Sequence, residues 1–247
     1  MLTTVLFDLD GTLVNLDIEF FLKRYIEALV PRFAHLVPAE VFIRELLRWS
    51  QAMVENDDPG LTNLEVFWRG FPAAVGIERA VLEPIFEDFY ATDFPRLRPE
   101  GAKNPAARRL LATLVENGYT VVIATNPIFP KRAILERLAW ADCTDFPYAY
   151  ITCGEEMHSC KPNLDFFREV LARIGRNPEE CLMVGNDVEE DMIAQKLGLS
   201  TALVTDLLID RGLARLTPDW RGTLAELAEL FAAHRERFAF AKAAGRS

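Results

Sequence analysis

Two acids, Asp8 and Asp10, stand two residues apart at the end of the apolar run Val5-Leu6-Phe7, and Gly11 follows them. If strand geometry persists, both side chains leave the same face, about 6.5 Å apart along the chain. Like charges that close are unfavourable without a cation. A hard divalent ion such as Mg²⁺ with oxygen ligands relieves the repulsion. Gly11 lets the chain turn sharply past them.

Three further groups sit where strands are expected to end. The run Tyr119–Ala124 is followed by Thr125 and Asn126, a hydroxyl and an amide able to donate to an anionic oxygen. Lys161, just before Pro162, can supply the positive charge that a phosphoryl group needs. The run Cys181–Val184 leads into Gly185-Asn186-Asp187, with Glu189, Glu190 and Asp191 close behind. Acids, a hydroxyl, a lysine and more acids, each near a strand end, fit metal-assisted phosphoryl transfer to a carboxylate nucleophile.

The elements that must position these residues follow from the hydrophobic pattern. Residues 2–7 read as a buried strand. Residues 16–98 show helical periodicity and no convincing strand. Ile18, Phe21, Leu22, Tyr25, Ile26 and Leu29 share one face behind Asp17, an N-cap residue. Phe42, Leu46, Trp49 and Met53 make a second stripe. Thr62 and Glu65 have the spacing of a capping box. Leu82, Ile85, Phe86 and Phe89 make a fourth stripe. Breaks are expected at Pro31, Pro38, Asp57-Asp58-Pro59-Gly60 and Phe71-Pro72.

From Asn104-Pro105 onward helices and strands alternate. Helices are expected from Pro105 to Gly118, over Lys131–Leu138, over Leu164–Ile174, around Met192–Leu197 and after Thr223. Strands are expected over Tyr119–Ala124, Tyr148–Thr152, Cys181–Val184 and Thr201–Val204. The stretch from Arg235, with Arg237, Lys242 and Arg246, reads as a basic tail prone to fraying. Alternation implies an α/β, doubly wound parallel sheet with ligands bound beyond the carboxyl ends of its strands. The expected division is a Rossmann-like core of residues 1–15 and 99–247 with an inserted helical domain at 16–98.

The 247 residues are half apolar, enough for a sizeable core, and carry a formal net charge of −10. An acidic surface disfavours nucleic acid and anionic membranes as partners. It leaves room for a small phosphorylated substrate, which a few local cations can hold. Cys143, Cys153, Cys160 and Cys181 form neither a CxxC pair nor a zinc pattern, so free thiols in a reducing compartment are expected. With no signal peptide and no membrane span in view, a cytoplasmic location is expected.

Together these residues resemble the haloacid dehalogenase-type (HAD superfamily) hydrolases. Phe7-Asp8-Leu9-Asp10-Gly11-Thr12-Leu13-Val14 is similar to the first motif of that family, Ala124-Thr125-Asn126 to the second, Lys161-Pro162 to the third, and Gly185 to Asp191 to the acidic fourth. The helical segment between the first two motifs resembles a C1-type cap. The resemblance implies that Asp8 attacks phosphorus to form an aspartyl-phosphate, and that Asp10 protonates the leaving oxygen and then activates water. It implies that Thr125 and Lys161, with Asn126, hold the phosphoryl group. Mg²⁺ would be held by Asp8, the Asp10 backbone carbonyl and Asp187, with Asp191 in support. The motif departs from the family in having Asn186 where an acid often stands, which leaves the ligand place open between Asn186, Asp187 and Asp191. An acid at Asp10 argues against true dehalogenation. A Mg²⁺-dependent phosphatase is the expectation, and a phosphoryl mutase or a phospho-accepting regulatory protein without turnover are the alternatives.

Taken singly, several residues read as structural. Glu189 and Glu190 look like helix N-terminal acids, Trp49, Phe67 and Trp68 like core of the insert, and Cys160 like a bystander thiol. Arg24, Arg44, Arg48 and Arg69 lie in the insert, where each could meet an anionic group. His35, His158 and His234 show no ligand spacing.

Overall fold

The computed structural model describes residues 1–213 and 215–234, and the basic tail from Arg235 lies outside them. A six-stranded sheet forms the centre. Its strands are β1 (Thr4–Phe7), β2 (Thr120–Ile123), β3 (Tyr148–Ile151), β4 (Cys181–Gly185), β5 (Ser200–Val204) and β6 (Trp220–Gly222). They lie in the order β3-β2-β1-β4-β5-β6, and every pairing is parallel. β1 occupies the middle, so both its neighbours carry residues of the acid-rich edge.

Side-chain alternation explains the unbroken apolar runs. Val5 and Phe7 of β1, Val121 and Ile123 of β2, and Leu182 and Val184 of β4 join one core. Leu6, Val122 and Met183, one residue out of phase, join a second core with Phe166, Phe167 and Val170 on the opposite face. A central parallel strand buried on both faces needs apolar residues at every position. β6 was not anticipated. It has three residues, half-buried at Trp220 and Gly222, and its partner is only the edge of β5.

Helices α1 (Ile18–Phe33), α2 (Ala39–Val54), α3 (Asn63–Val75) and α4 (Arg79–Thr92) make up the insert. Asp17 caps α1 by accepting from the Phe20 N–H at 3.1 Å. Thr62 and Glu65 form the expected reciprocal capping box of α3. Pro31 and Pro72, expected as breaks, instead lie inside the last turns of α1 and α3. Ring contacts hold these helices together: Phe33 of α1 lies 4.5 Å from Phe42 of α2 and 4.7 Å from Phe86 of α4, between centroids. Such pairs each add about 0.5–1.5 kcal/mol beyond burial.

In the remainder, α5 (Pro105–Glu116), α6 (Lys131–Trp140), α7 (Leu164–Ile174) and α8 (Leu224–Ala233) flank the sheet. Asn104 caps α5 with Pro105 at its first position, and Thr223 with Glu226 caps α8. Met192–Leu197, expected within an α-helix, is a 3₁₀ segment ending at left-handed Gly198. All four cysteines are buried free thiols. Among the described residues no helix is long and apolar enough to cross a membrane.

The insert is fastened to the core at the start of α3. Asn63, fully buried, gives its amide N–H₂ to the Pro127 carbonyl at 3.2 Å and to Cys160 Sγ at 3.3 Å. Its backbone N–H donates to the Met157 carbonyl, and the next one, of Leu64, to the Gly154 carbonyl. Asn56 Nδ2 donates to the His158 carbonyl at 2.8 Å.

Candidate active site

The sheet ladder carries the first acid into place. The Asp8 N–H continues the pairing with β4 by donating to the Val184 carbonyl at 2.9 Å, while the Ala124 N–H donates to Phe7 on the other side. Strand geometry does not persist to Asp10. The chain folds into a tight turn in which Leu13 and Val14 both donate to the Leu9 carbonyl and Gly11 donates to Val14. The alternation argument for the two acids therefore gives way to a turn, with Gly11 at φ +76°. A side chain there would be strained, and its Cβ would meet Asn186 Nδ2 at 2.3 Å.

Asn186 explains itself from the same contact. It accepts from Thr12 Oγ1 at 3.1 Å and donates to the Leu207 carbonyl. Its amide is thus spent on pinning the turn after Asp10.

Lys161 is 1% exposed, and its Nζ lies 2.8 Å from Asp8 Oδ1 and 2.6 Å from Asp191 Oδ1. Burial pulls its pKa down, but the two carboxylates more than reverse this and the ammonium stays charged. Burial pushes the Asp191 carboxyl upward against the pull of Lys161. Asp191 also accepts from the Asp187 N–H at 3.0 Å. It reaches that position because Gly185 has no side chain, since a Cβ there would come within 2.0 Å of Asp191 Oδ2.

Thr125 is buried just past β2, its carbonyl held by Thr152 Oγ1 at 2.7 Å. Asn126 turns its amide to the protein. Its Oδ1 accepts from the Lys161 N–H at 2.9 Å, and its Nδ2 donates to Glu190 Oε2 at 2.9 Å. It brackets the lysine loop against the acidic one. Asp187 accepts at Oδ1 from the N–H groups of Glu189 and Glu190, and at Oδ2 from Arg211 Nη1 at 2.7 Å.

Two residues read as structural, or passed over, in the sequence belong to this site. Glu190 is bonded to Asn126, and its carboxyl is raised by burial and then by the charges of Asp187 and Asp8. It faces the acid cluster and does not merely cap a helix. Arg137, on α6, is fully buried and pairs through Nη1 with Asp10 Oδ2. Burial raises the Asp10 carboxyl to about 6, with Arg137 opposing and Asp8 adding to the rise. A signal for Arg137 did exist: it shares a helical face with Ala133, Ile134, Leu138 and Ala141, all apolar and all buried. Glu189, in contrast, accepts from the N–H groups of Arg211 and Leu213 and shapes the loop, and Cys160, its thiol pushed up to about 12 by burial, is no nucleophile.

No three metal-binding side chains converge among the described residues. The donor chemistry nonetheless suits a hard cation. Asp8, Asp187 and Glu190 present carboxylate oxygens within electrostatic reach of one another: the Glu190 carboxyl, raised first by burial, is raised further by the charges of Asp187 and Asp8. Lys161 and Arg211 compensate part of that charge.

Between the insert helices and the loop at residues 128–130 lies a cavity of about 650 Å³ whose walls include Tyr25, Met53, Phe67, Trp68, Phe86 and Phe129, and none of Asp8, Asp10, Thr125, Lys161 or Arg137 lines it.

A central parallel strand ending in paired acids, flanked by a buried lysine and a second acid cluster, with a helical insert above, defines a class of α/β hydrolase. Residues 2–197 match the family model of the haloacid dehalogenase-like hydrolases, and the chain belongs to that family. It is 26% identical over 215 residues to glyceraldehyde 3-phosphate phosphatase of Methanothermobacter thermautotrophicus, covering 85% of this chain and 88% of that one. It is 26% identical over 226 residues to phosphoglycolate phosphatase of Agrobacterium fabrum, covering 87% and 85%. Among solved structures, 2-haloacid dehalogenase from Pseudomonas syringae pv. Tomato DC3000 superposes with a TM-score of 0.61 at 21% identity, covering 94% of this chain and 99% of that one, a likeness of fold alone.

Proposed function

We propose that this protein is a phosphatase that hydrolyses a small phosphorylated metabolite through an aspartyl-phosphate on Asp8. The observation that carries the reading is the buried Lys161 ammonium held 2.8 Å from the carboxylate of Asp8, at the carboxyl end of the central strand. The names of the two relatives, both phosphatases of small sugar or acid phosphates, support the substrate class. Four buried free thiols are in keeping with a cytoplasmic setting.

In this mechanism an Asp8 carboxylate oxygen attacks phosphorus, the ester P–O bond breaks, and the leaving oxygen takes the proton of Asp10. Asp10, then a carboxylate, draws a proton from water, whose oxygen attacks phosphorus and returns Asp8 free. Lys161 compensates the negative charge shared by nucleophile and phosphoryl oxygens, and the Thr125 hydroxyl donates to one of those oxygens. Asn126 keeps Lys161 in register. Mg²⁺, when bound, neutralises phosphoryl charge and would be held by Asp8, the Asp10 carbonyl and Asp187, with Asp191 in support. Residues 16–98 act as a cap that encloses substrate and excludes water.

The test is phosphate release from p-nitrophenyl phosphate and a panel of sugar, hydroxyacid and nucleotide phosphates, with Mg²⁺, with EDTA, and with Asp8→Asn. Metal-dependent release that vanishes in the variant is expected. A folded protein that binds Mg²⁺ yet releases phosphate from nothing would contradict the reading.

A further inference from the structure

Arg137 offers more than charge compensation. Its guanidinium is committed on two nitrogens: Nη1 to Asp10 Oδ2, and Nε to the Ala133 carbonyl at 3.3 Å. The third, Nη2, is buried and has no hydrogen-bond partner among the described residues. On the same ion pair, Asp10 Oδ1 is also buried without a partner. The pair thus ends in one open donor and one open acceptor. Buried polar atoms are satisfied in the great majority of cases, and an open arginine N–H beside a carboxylate is costly unless something comes to meet it.

One ring joins the pair to the insert. The Arg137 guanidinium lies 4.7 Å from the centroid of Phe129, and Phe129 is a wall of the 650 Å³ cavity. Arg137 therefore stands between that cavity wall and the residue that serves the leaving oxygen. Arginine is charged at every working pH and presents its N–H groups in a rigid planar fork suited to carboxylates. An oxygen reached by Nη2 must lie close to the Asp10 carboxyl, because Nη1 already holds that carboxyl. In a phosphate ester this means an oxygen separated from the ester oxygen by only about two carbons.

We propose that Arg137 is a specificity-determining residue that recognises an anionic oxygen, a carboxylate, on the leaving group next to the ester oxygen served by Asp10. The proposal rests on the phosphatase reading above and names the leaving-group chemistry of that same site. No additional reaction step is involved: the open Nη2–H donates to the leaving-group carboxylate, and the hydroxyacid departs with the proton from Asp10.

The experiment compares kcat/KM for 2-phosphoglycolate and 2-hydroxyethyl phosphate, which share length and ester and differ in carboxylate against hydroxymethyl, with p-nitrophenyl phosphate as a third substrate. The ratio of the first two is taken within one preparation, so the folded fraction cancels. The wild type is expected to favour the carboxylate by about tenfold or more, and R137Q to bring the ratio near one even where both rates fall. A wild-type ratio near one, or a ratio unchanged in R137Q, overturns the proposal. If R137Q does not fold, R137K serves, since lysine keeps the charge and lacks the fork; its ratio is expected to fall about threefold or more, and an unchanged ratio overturns the proposal. A wild type inactive on all three esters, p-nitrophenyl phosphate included, overturns the phosphatase reading and this proposal with it, whereas p-nitrophenyl phosphate turnover without carboxylate preference overturns this proposal alone.

Discussion

Lys161 lies between Asp8 and Asp191, its ammonium 2.8 Å from one carboxylate and 2.6 Å from the other. One buried cation thus ties the first acid of the chain to the last acid of the fourth motif, 183 residues on. Removing it leaves two buried carboxylates facing each other, and breaking such a pair costs about 3–5 kcal/mol. Lys161→Met is therefore expected to lower the melting temperature and, under the proposed mechanism, in which its charge stabilises the transferring phosphoryl group, to reduce kcat by about 100-fold or more. Thermal denaturation and phosphate release, measured on the same sample, check both.

Asp10 titrates high, at about 6, because burial outweighs the attraction of Arg137. In the proposed mechanism Asp10 expels the alcohol in its protonated form, which declines tenfold for each pH unit above that value. Alkyl phosphates, with poor leaving groups, should lose kcat as pH rises from 6 to 8. p-Nitrophenyl phosphate, whose phenolate needs little protonation, should lose much less. Parallel pH profiles for the two esters would count against Asp10 as the acid.

The insert is held to the core through Asn63. Asn63→Ala removes an amide that bonds the Pro127 carbonyl and Cys160 Sγ inside a fully buried contact. Leaving that carbonyl unsatisfied is expected to cost about 1–3 kcal/mol. Limited proteolysis should cut the variant faster between insert and core, and KM should rise more than kcat falls.

Arg211 occupies Asp187 Oδ2 at 2.7 Å and is 44% exposed, so the pair is solvent-screened and readily exchanged. With Asp187 in the proposed ligand set, Arg211 would compete with Mg²⁺ for that carboxylate. Arg211→Ala should bind Mg²⁺ about threefold more tightly by calorimetry, while unchanged or weaker binding would remove Asp187 from the ligand set.

The parts of this molecule legible in its sequence are those governed by local rules. The caps at Asp17, Asn104, Thr62 and Thr223 are local side-chain to backbone bonds, and each formed at the expected residue. The central strands were visible as unbroken apolar runs because both faces are buried. β6 was not, because an edge strand of three residues has too little burial to leave a pattern. Pro31 and Pro72 misled because a proline's lost N–H bond and its clash with the preceding turn are local costs, and the packed apolar face carries each helix through them, as it does in α4 at Pro84. The acids, Thr125 and Lys161 could be picked out by type and position at strand ends. Arg137 could not be picked out by type, since a lone arginine on a helix is usually solvated, and only its apolar neighbours on α6 mark it. Glu190 was indistinguishable from Glu189 until the loop showed which of the two turns to Asn126.

The most direct test of the central claim is rapid acid quenching during turnover of an ester carrying radiolabelled phosphorus. The account predicts label bound to the protein, on the proteolytic peptide that contains Asp8, and absent from Asp8→Asn. Full turnover with no labelled protein, or label retained in Asp8→Asn, would contradict it.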